Sequence, residues 1–406
     1  MNDIVNIEEE IRPYKEKIED IVLHNQEKVL DAFQNQNVAD RHFHSETGYG
    51  YDDEGRDTLE GVYAEIFGAE DALVRPQLVS GTHAISTAFF GVLRPGDELL
   101  YVTGEPYDTL REVIEPAGDG ADHGSLHDFG ISYRALPLKE GAVDAERFRE
   151  VITSRTKMVA IQRSKGYADR PSFTIEDIEG MVKEIKAVKP DAIVFVDNCY
   201  GEFVEKAEPL EAGADLIAGS LIKNPGGGIV RTGGYIAGRK ELITACAHRL
   251  TAPGLGKEMG ATLSVLQEMY QGIFIAPHVV GEALKGAVYT AKYLDSYGFR
   301  TKPFYDEYRT DLIQTVYFDN AEQMVDFCRE IQKASPVNAF ALPEPGPLPG
   351  YDSDVIMAAG TFIQGASLEL TADGPLRPPY MAFVQGGLTA EHVKIAVRRA
   401  VDAVTS

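Results

Sequence analysis

The sequence predicts an α/β fold in which a mostly parallel sheet is flanked by helices, followed by a smaller C-terminal α+β domain. Two observations lead there. From about residue 56 to 250, helical periodicities alternate with short β-rich runs, the pattern of parallel strands joined by crossover helices. The last third mixes two strand-like runs with two amphipathic helices and does not keep that alternation. We therefore divide the chain into an N-terminal helical arm (1–44), a large domain (45–280) and a smaller C-terminal α+β domain (281–406).

The arm comes first. Ile7, Ile11, Ile18, Val22, Val29 and Phe33 keep a broken helical period that suits a helix docked on a larger body. In the large domain we expect helices near Thr58–Phe67, His83–Leu93 and Ile175–Val188. The strands fall at Glu98–Val102, Ser132–Leu136, Met158–Gln162, Ile193–Asp197, Asp215–Ala218 and Gly233–Ala237. A long helical stretch with scattered glycines follows from about Lys257 to Tyr297. Beyond it come strands Asp311–Phe318 and Ser367–Leu370, helices Ala321–Lys333 and Ala390–Val404, and a proline-rich loop from Pro343 to Pro349 that runs into Gly350.

A formal net charge of -24 spread along the chain argues against nucleic acid and anionic membranes as partners, since both are polyanions. No apolar run approaches a membrane span, and Met1-Asn2-Asp3 opens the chain without a basic, apolar leader. These features predict a cytoplasmic protein. Cys199, Cys246 and Cys328 are odd in number and widely spaced, which fits reduced thiols and neither a disulfide framework nor a zinc site. His123 and His127 are spaced like metal ligands on a helix, but Gly118, Gly120, Gly124 and Gly130 make the stretch a loop; we predict no metal.

The chemistry centres on Lys223 in Ser220-Leu221-Ile222-Lys223-Asn224-Pro225, 26 residues after Asp197 at the end of an apolar run. An amine able to form a Schiff base and a carboxylate able to keep a pyridine nitrogen protonated are what pyridoxal 5'-phosphate (PLP) requires. Ser80-Gly81-Thr82 stands at the start of an apolar helix, where free N–H groups and the helix dipole favour a phosphate. Ser220 offers a second hydroxyl. Tyr107, in the loop after Glu98–Val102, is placed to stack on a pyridine ring and to give a proton to a leaving group. Tyr51 and Arg56 lie in a glycine- and tyrosine-rich loop and are candidates to reach a phosphate, across to a neighbouring subunit if the loop crosses. Arg377 is a candidate for a substrate carboxylate.

This set resembles the fold-type I PLP enzymes of the cysteine/methionine metabolism group, the cystathionine lyases and methionine γ-lyase. More narrowly, Gln162-Arg163-Ser164-Lys165-Gly166-Tyr167, Val196-Asp197-Asn198-Cys199-Tyr200-Gly201-Glu202-Phe203, Ser220–Gly228 and Phe383-Val384-Gln385-Gly386-Gly387-Leu388 resemble the branch labelled aluminium resistance protein or methionine γ-lyase-like protein. The resemblance implies that Lys223 binds the cofactor, Asp197 pairs with its ring nitrogen, Tyr107 stacks, and Gly81, Thr82 and Ser220 hold the phosphate, with Tyr51 reaching the phosphate of an adjacent subunit in a homodimer or homotetramer. The chain departs from the lyases at Tyr51-Asp52-Asp53, where they carry Tyr-x-Arg, and at Ile222, where they carry a hydroxyl. It also lacks their carboxylate-gripping arginine in Tyr380–Gly387.

The expectation is thus a carbon–sulfur lyase acting on a small-molecule amino acid of the cystathionine, cysteine or methionine type, with β- and γ-elimination both open. A γ-replacement transferase, transaminase or aldolase would use the same Lys223 and Asp197. A non-catalytic protein that sequesters polyvalent cations is the remote alternative, since the acids form no compact oxygen-ligand loop.

Overall fold

The computed structural model describes residues 2–116, 122–348, 353–365 and 367–405. Gly118, Gly120, Pro349 and Gly350, which entered the loop readings, lie outside them. Helix α1 (Asn2–Asn35) leads to α2 (Glu54–Phe67), β1 (Asp71–Arg75), α3 (Gly81–Val92), β2 (Glu98–Tyr101), α4 (Asp108–Ile114), β3 (Ser132–Ala135) and the single turn α5 (Phe148–Val151). Next come β4 (Thr156–Gln162), α6 (Ile175–Val188), β5 (Ile193–Asp197), β6 (Leu216–Ser220), β7 (Gly234–Gly238) and α7 (Lys240–Leu250). The long α8 (Leu266–Ser296) precedes β8 (Thr301–Lys302), β9 (Gln314–Phe318), α9 (Ala321–Lys333), β10 (Val355–Ala358), β11 (Thr371–Pro375), β12 (Tyr380–Gln385) and α10 (Ala390–Thr405).

Seven strands form one sheet in the order β1-β7-β6-β5-β4-β2-β3, parallel except that β7 runs against both its neighbours. Alternation along β5 shows how it is sandwiched: Ile193 and Phe195 pack with α3 residues Ile85 and Phe89, whereas Val194 and Val196 join the cluster beneath α6 and α8. Both faces being covered, the strand reads as an unbroken apolar run. The second sheet is antiparallel, in the order β10-β11-β12-β9-β8, with α9 and α10 packed together beside it. On the arm, Ile7, Ile11, Ile18 and Val29 are buried, and α1 packs along α8. Where they meet, a side chain in place of Gly281 would collide with Val22.

Helices α6, α9 and the start of α10 lie where the periodicity put them. Three readings need correction. Ser367–Leu370 is not a strand. Its alternation is real, but Leu368 N–H bonds Ile222 O, Ser367 Oγ accepts from Glu369 N–H, and the Glu369 carboxylate caps the N–H groups of Phe362 and Ile363. Such local bonds replace the ladder, which starts at Thr371. The long helix begins at Leu266 and not at Lys257, because Leu263 and Ser264 take left-handed backbone angles (φ 56° and 58°). Strands β1, β8, β10 and β11 and helices α4, α5 and α7 were not anticipated; all but α7 are seven residues or shorter.

Candidate active site

The carboxyl ends of β2, β4, β5 and β6 converge on one cavity of about 230 Å³. In parallel sheets this is where ligands sit, because loops and helix N-termini open there. The cavity takes Asp197 from the end of β5, Ser220 from the end of β6, Lys223 just beyond it, Ser80, Gly81 and Thr82 from the start of α3, and Tyr107 from the loop after β2. Residues that are up to 143 positions apart in the sequence thus share one wall.

At one end the cavity is built for an anion. Ser80 caps α3, its hydroxyl accepting from His83 N–H at 3.0 Å, and the first N–H groups of a helix have no acceptor within it. Ser220 Oγ faces the same place, buried and without a hydrogen-bond partner among the described residues. A side chain at Gly81 would press on Ser220 Cβ and Cys199 Sγ, both 3.3 Å away, so glycine lets the backbone close in. Thr82 Oγ1 lies 3.1 Å from Thr109 Oγ1.

Asp197 is 7% exposed, and its Oδ1 accepts from Cys199 N–H at 3.1 Å. Burial raises its pKa, while nearby Lys223 pulls the other way. Lys223 Nζ lies 4.2 Å from the centre of the Tyr200 ring. Burial disfavours its charge, Cys199, Tyr200, Asp197 and Glu202 favour it to the extent that they ionise, and the net shift is upward. Behind Lys223, Glu202 is fully buried: Oε1 accepts from Tyr235 OH at 2.8 Å and Oε2 has no partner among the described residues. Burial pushes this carboxyl up to about 8. Gly219 makes room for the pair, since a Cβ there would lie 2.6 Å from Glu202 Oε1 and 2.5 Å from the Tyr235 ring. Cys199 also lines the cavity, but burial holds its thiol well above the ordinary range, which suits packing and not nucleophilic attack.

Tyr107 packs against Gly166 (φ +56°), where a Cβ would sit 2.9 Å from its ring. The structure does not bring Tyr51, Arg56 or Arg377 into the cavity. Arg56 is 1% exposed and holds its own loop together through Gly50 O and the Asp57 carboxylate. Tyr51 is exposed and lies beside Tyr49, ring centres 5.5 Å apart. Arg377 stands on an exposed turn before β12 and lines an adjoining crevice. Gln162, Tyr167, Tyr200 and Gln385 line the cavity without having been singled out individually; each lies in a segment that carried the family resemblance, but none has a spacing that marks it. Among the described residues no three His, Cys, Asp or Glu side chains are grouped to hold a metal ion.

A buried unpartnered hydroxyl beside a helix N-terminus, a buried carboxylate and a lysine fit the phosphate, ring nitrogen and aldehyde of PLP. The sheet, its flanking helices and the second, antiparallel sheet are those of a fold-type I PLP-dependent enzyme; the PLP-dependent protein YhfS of Escherichia coli, 16% identical, superposes with a TM-score of 0.64 over 95% of this chain and 97% of its own. The chain belongs to the methionine gamma-lyase family, whose model matches residues 1–405. The uncharacterized protein YnbB of Bacillus subtilis (strain 168) is 57% identical over 401 residues, 98% of this chain and 95% of that protein. A Listeria monocytogenes structure, named provisionally as a cystathionine beta-lyase involved in aluminum resistance, is 60% identical with a TM-score of 0.97 and full coverage of both chains. The L-methionine gamma-lyase of Pseudomonas putida is 28% identical over 207 residues, 51% of this chain and 45% of that enzyme.

Proposed function

We propose that the protein is a PLP-dependent carbon–sulfur lyase that eliminates a thiol from a sulfur-containing L-amino acid. The observation that carries this reading is the single cavity in which Lys223, Asp197, the unpartnered Ser220 hydroxyl and the start of α3 meet. Bound PLP would draw electrons away from the substrate's Cα. Ser80, Gly81, Thr82 and Ser220 would bind its phosphate, and Asp197 would hold positive charge at its ring nitrogen. A cation against Asp197 would also remove part of what keeps Lys223 protonated, moving the lysine toward the neutral amine that would hold the cofactor and take the α-proton. Tyr107 stacks on the ring and gives a proton to the departing sulfur. For γ-elimination a second proton must leave Cβ, and Lys223 would take it.

We place the site in a homodimer or homotetramer, with Tyr51 completing a neighbour's phosphate site. Tyr49, Tyr51 and Leu263 are exposed on linked loops: Thr262 bonds Ser45 and Asp53, and Gly260 N–H bonds Tyr49 O. Two successive left-handed residues beside them, Leu263 and Ser264, are strain of the kind found where a surface is used. Three buried free thiols and the charge of -24 support a cytoplasmic enzyme of small molecules rather than of nucleic acid or membranes. Among the described residues no helix is long and apolar enough to cross a membrane.

Product analysis tests the reaction. Cystathionine or cysteine giving pyruvate, ammonia and a thiol means β-elimination, and methionine giving 2-oxobutyrate and methanethiol means γ-elimination. Transamination or aldol cleavage without free thiol would overturn the lyase reading and keep the cofactor.

A further inference from the structure

Beyond Tyr107 the cavity opens into a crevice of about 420 Å³, the two sharing Tyr107, Gln162 and Tyr167. In a chain of net charge -24 this crevice is lined by four cations, Arg111, Lys165, Arg170 and Arg377, against two acids, Glu105 and Asp108. Glu105 is taken up by Tyr133 OH at 2.7 Å. A low-dielectric cleft of one sign concentrates ligands of the other.

Two of the cations, the buried Lys165 and the half-buried Arg170, line its wall without a bonded carboxylate. Lys165 is 5% exposed, and its Nζ makes no hydrogen bond or ion pair among the described residues. Arg170 gives its guanidinium hydrogens to the carbonyl oxygens of Gln162, Ser164 and Pro171, which fix its position without an ion pair, while Asp311 and Asp197 act on it from farther off. The acids that act on Lys165 are occupied: Asp311 accepts from Ser164 Oγ, Ser172 Oγ and Ile313 N–H, and Asp169 accepts from Tyr317 OH at 2.6 Å. Burial therefore lowers both cations, Lys165 to about 8 and Arg170 to about 10. A lysine buried without a bonded partner is costly to the fold, and an anion received beside it would offset that cost. Strand β12 meanwhile carries no arginine along Tyr380–Gln385.

We propose that Lys165 and Arg170 hold a carboxylate of the substrate, with Arg377 at the outer rim of the same subsite. This rests on the lyase reading above and assigns where that substrate's anionic group goes. The group is either the α-carboxylate or a second carboxylate on the thiol side, as in cystathionine.

The test uses PLP-loaded wild type, Lys165→Met and Lys165→Arg, with the visible cofactor band as the check that each is folded and loaded. Glycine and glycinamide are titrated by the change in that band, and kcat/KM is measured for cysteine and cystathionine. An α-carboxylate subsite predicts that Lys165→Met weakens glycine about ten- to hundredfold and glycinamide less than about twofold. A second-carboxylate subsite predicts that the tenfold or greater loss falls on cystathionine and spares cysteine. In either case Lys165→Arg recovers most of the loss, and Lys165→Met resists urea better than wild type, because a buried charge that makes no ion pair is gone. Equal changes for all four ligands, or none, would overturn the subsite while leaving the lyase reading intact. A wild-type protein that never acquires a cofactor band would end both.

Discussion

Glu202 offers a quantitative check on the buried wall behind Lys223. Its carboxyl, ordinarily at 4.5, is pushed up to about 8 by burial, which corresponds to about 5 kcal/mol in favour of the protonated form. Between those two values the folded protein holds a proton that the unfolded chain has lost. Stability therefore falls as pH rises through this window, and the contribution is complete only below 4.5. Integrated from pH 5.5 to 7.5, the loss from this one group is about 2 to 3 kcal/mol. Glu202→Gln copies the shape of the protonated acid and does not titrate. Glu208 and Asp373 are also raised by burial, so the slope of a single protein is not diagnostic, whereas the difference between wild type and variant is. Urea unfolding of both at the two pH values and one protein concentration should show the variant gaining about 2 to 3 kcal/mol on wild type as pH rises. A gap that stays constant with pH would mean that Glu202 is charged throughout, and that the wall behind Lys223 is anionic at neutral pH.

Asp197→Asn should keep the visible cofactor band and lose activity by about a hundredfold or more, as removal of one preorganised charge does; near-normal turnover would take the ring nitrogen away from Asp197. Tyr51→Phe and Lys223→Ala should each be impaired alone, and subunit exchange between them should regain activity that neither has, because one site of the mixed dimer is intact. No gain on mixing would confine the site to one subunit.

What could be read from the sequence follows the physics of each element. The alternating runs around Ile193–Asp197 and Ile175–Val188 announced themselves because burial on two faces, or on one stripe, leaves a pattern in the chain. Lys223, Asp197 and Ser80–Thr82 were legible because each stands at the end of such an element and their chemistry is unusual in combination. Ser367–Leu370 was misread because its alternation is that of a strand, while its hydrogen bonds go to side chains and to Ile222 O. Arg56 resembled a phosphate ligand by position, yet the turn of its loop brings Gly50 O and Asp57 to it first. Lys165 and Arg170 were invisible as a pair because what distinguishes them is that each faces the crevice without a bonded carboxylate, a property of the folded surroundings that no spacing encodes.

The central claim is that Lys223 is the amine that binds PLP. An absorption spectrum of the purified protein before and after borohydride, with peptide mapping of the reduced adduct, tests it most directly. The account predicts a visible band that reduction abolishes and a pyridoxyl group on Lys223, both missing from Lys223→Ala. A pyridoxyl group on another lysine, or a protein that stays colourless after incubation with PLP, would contradict it.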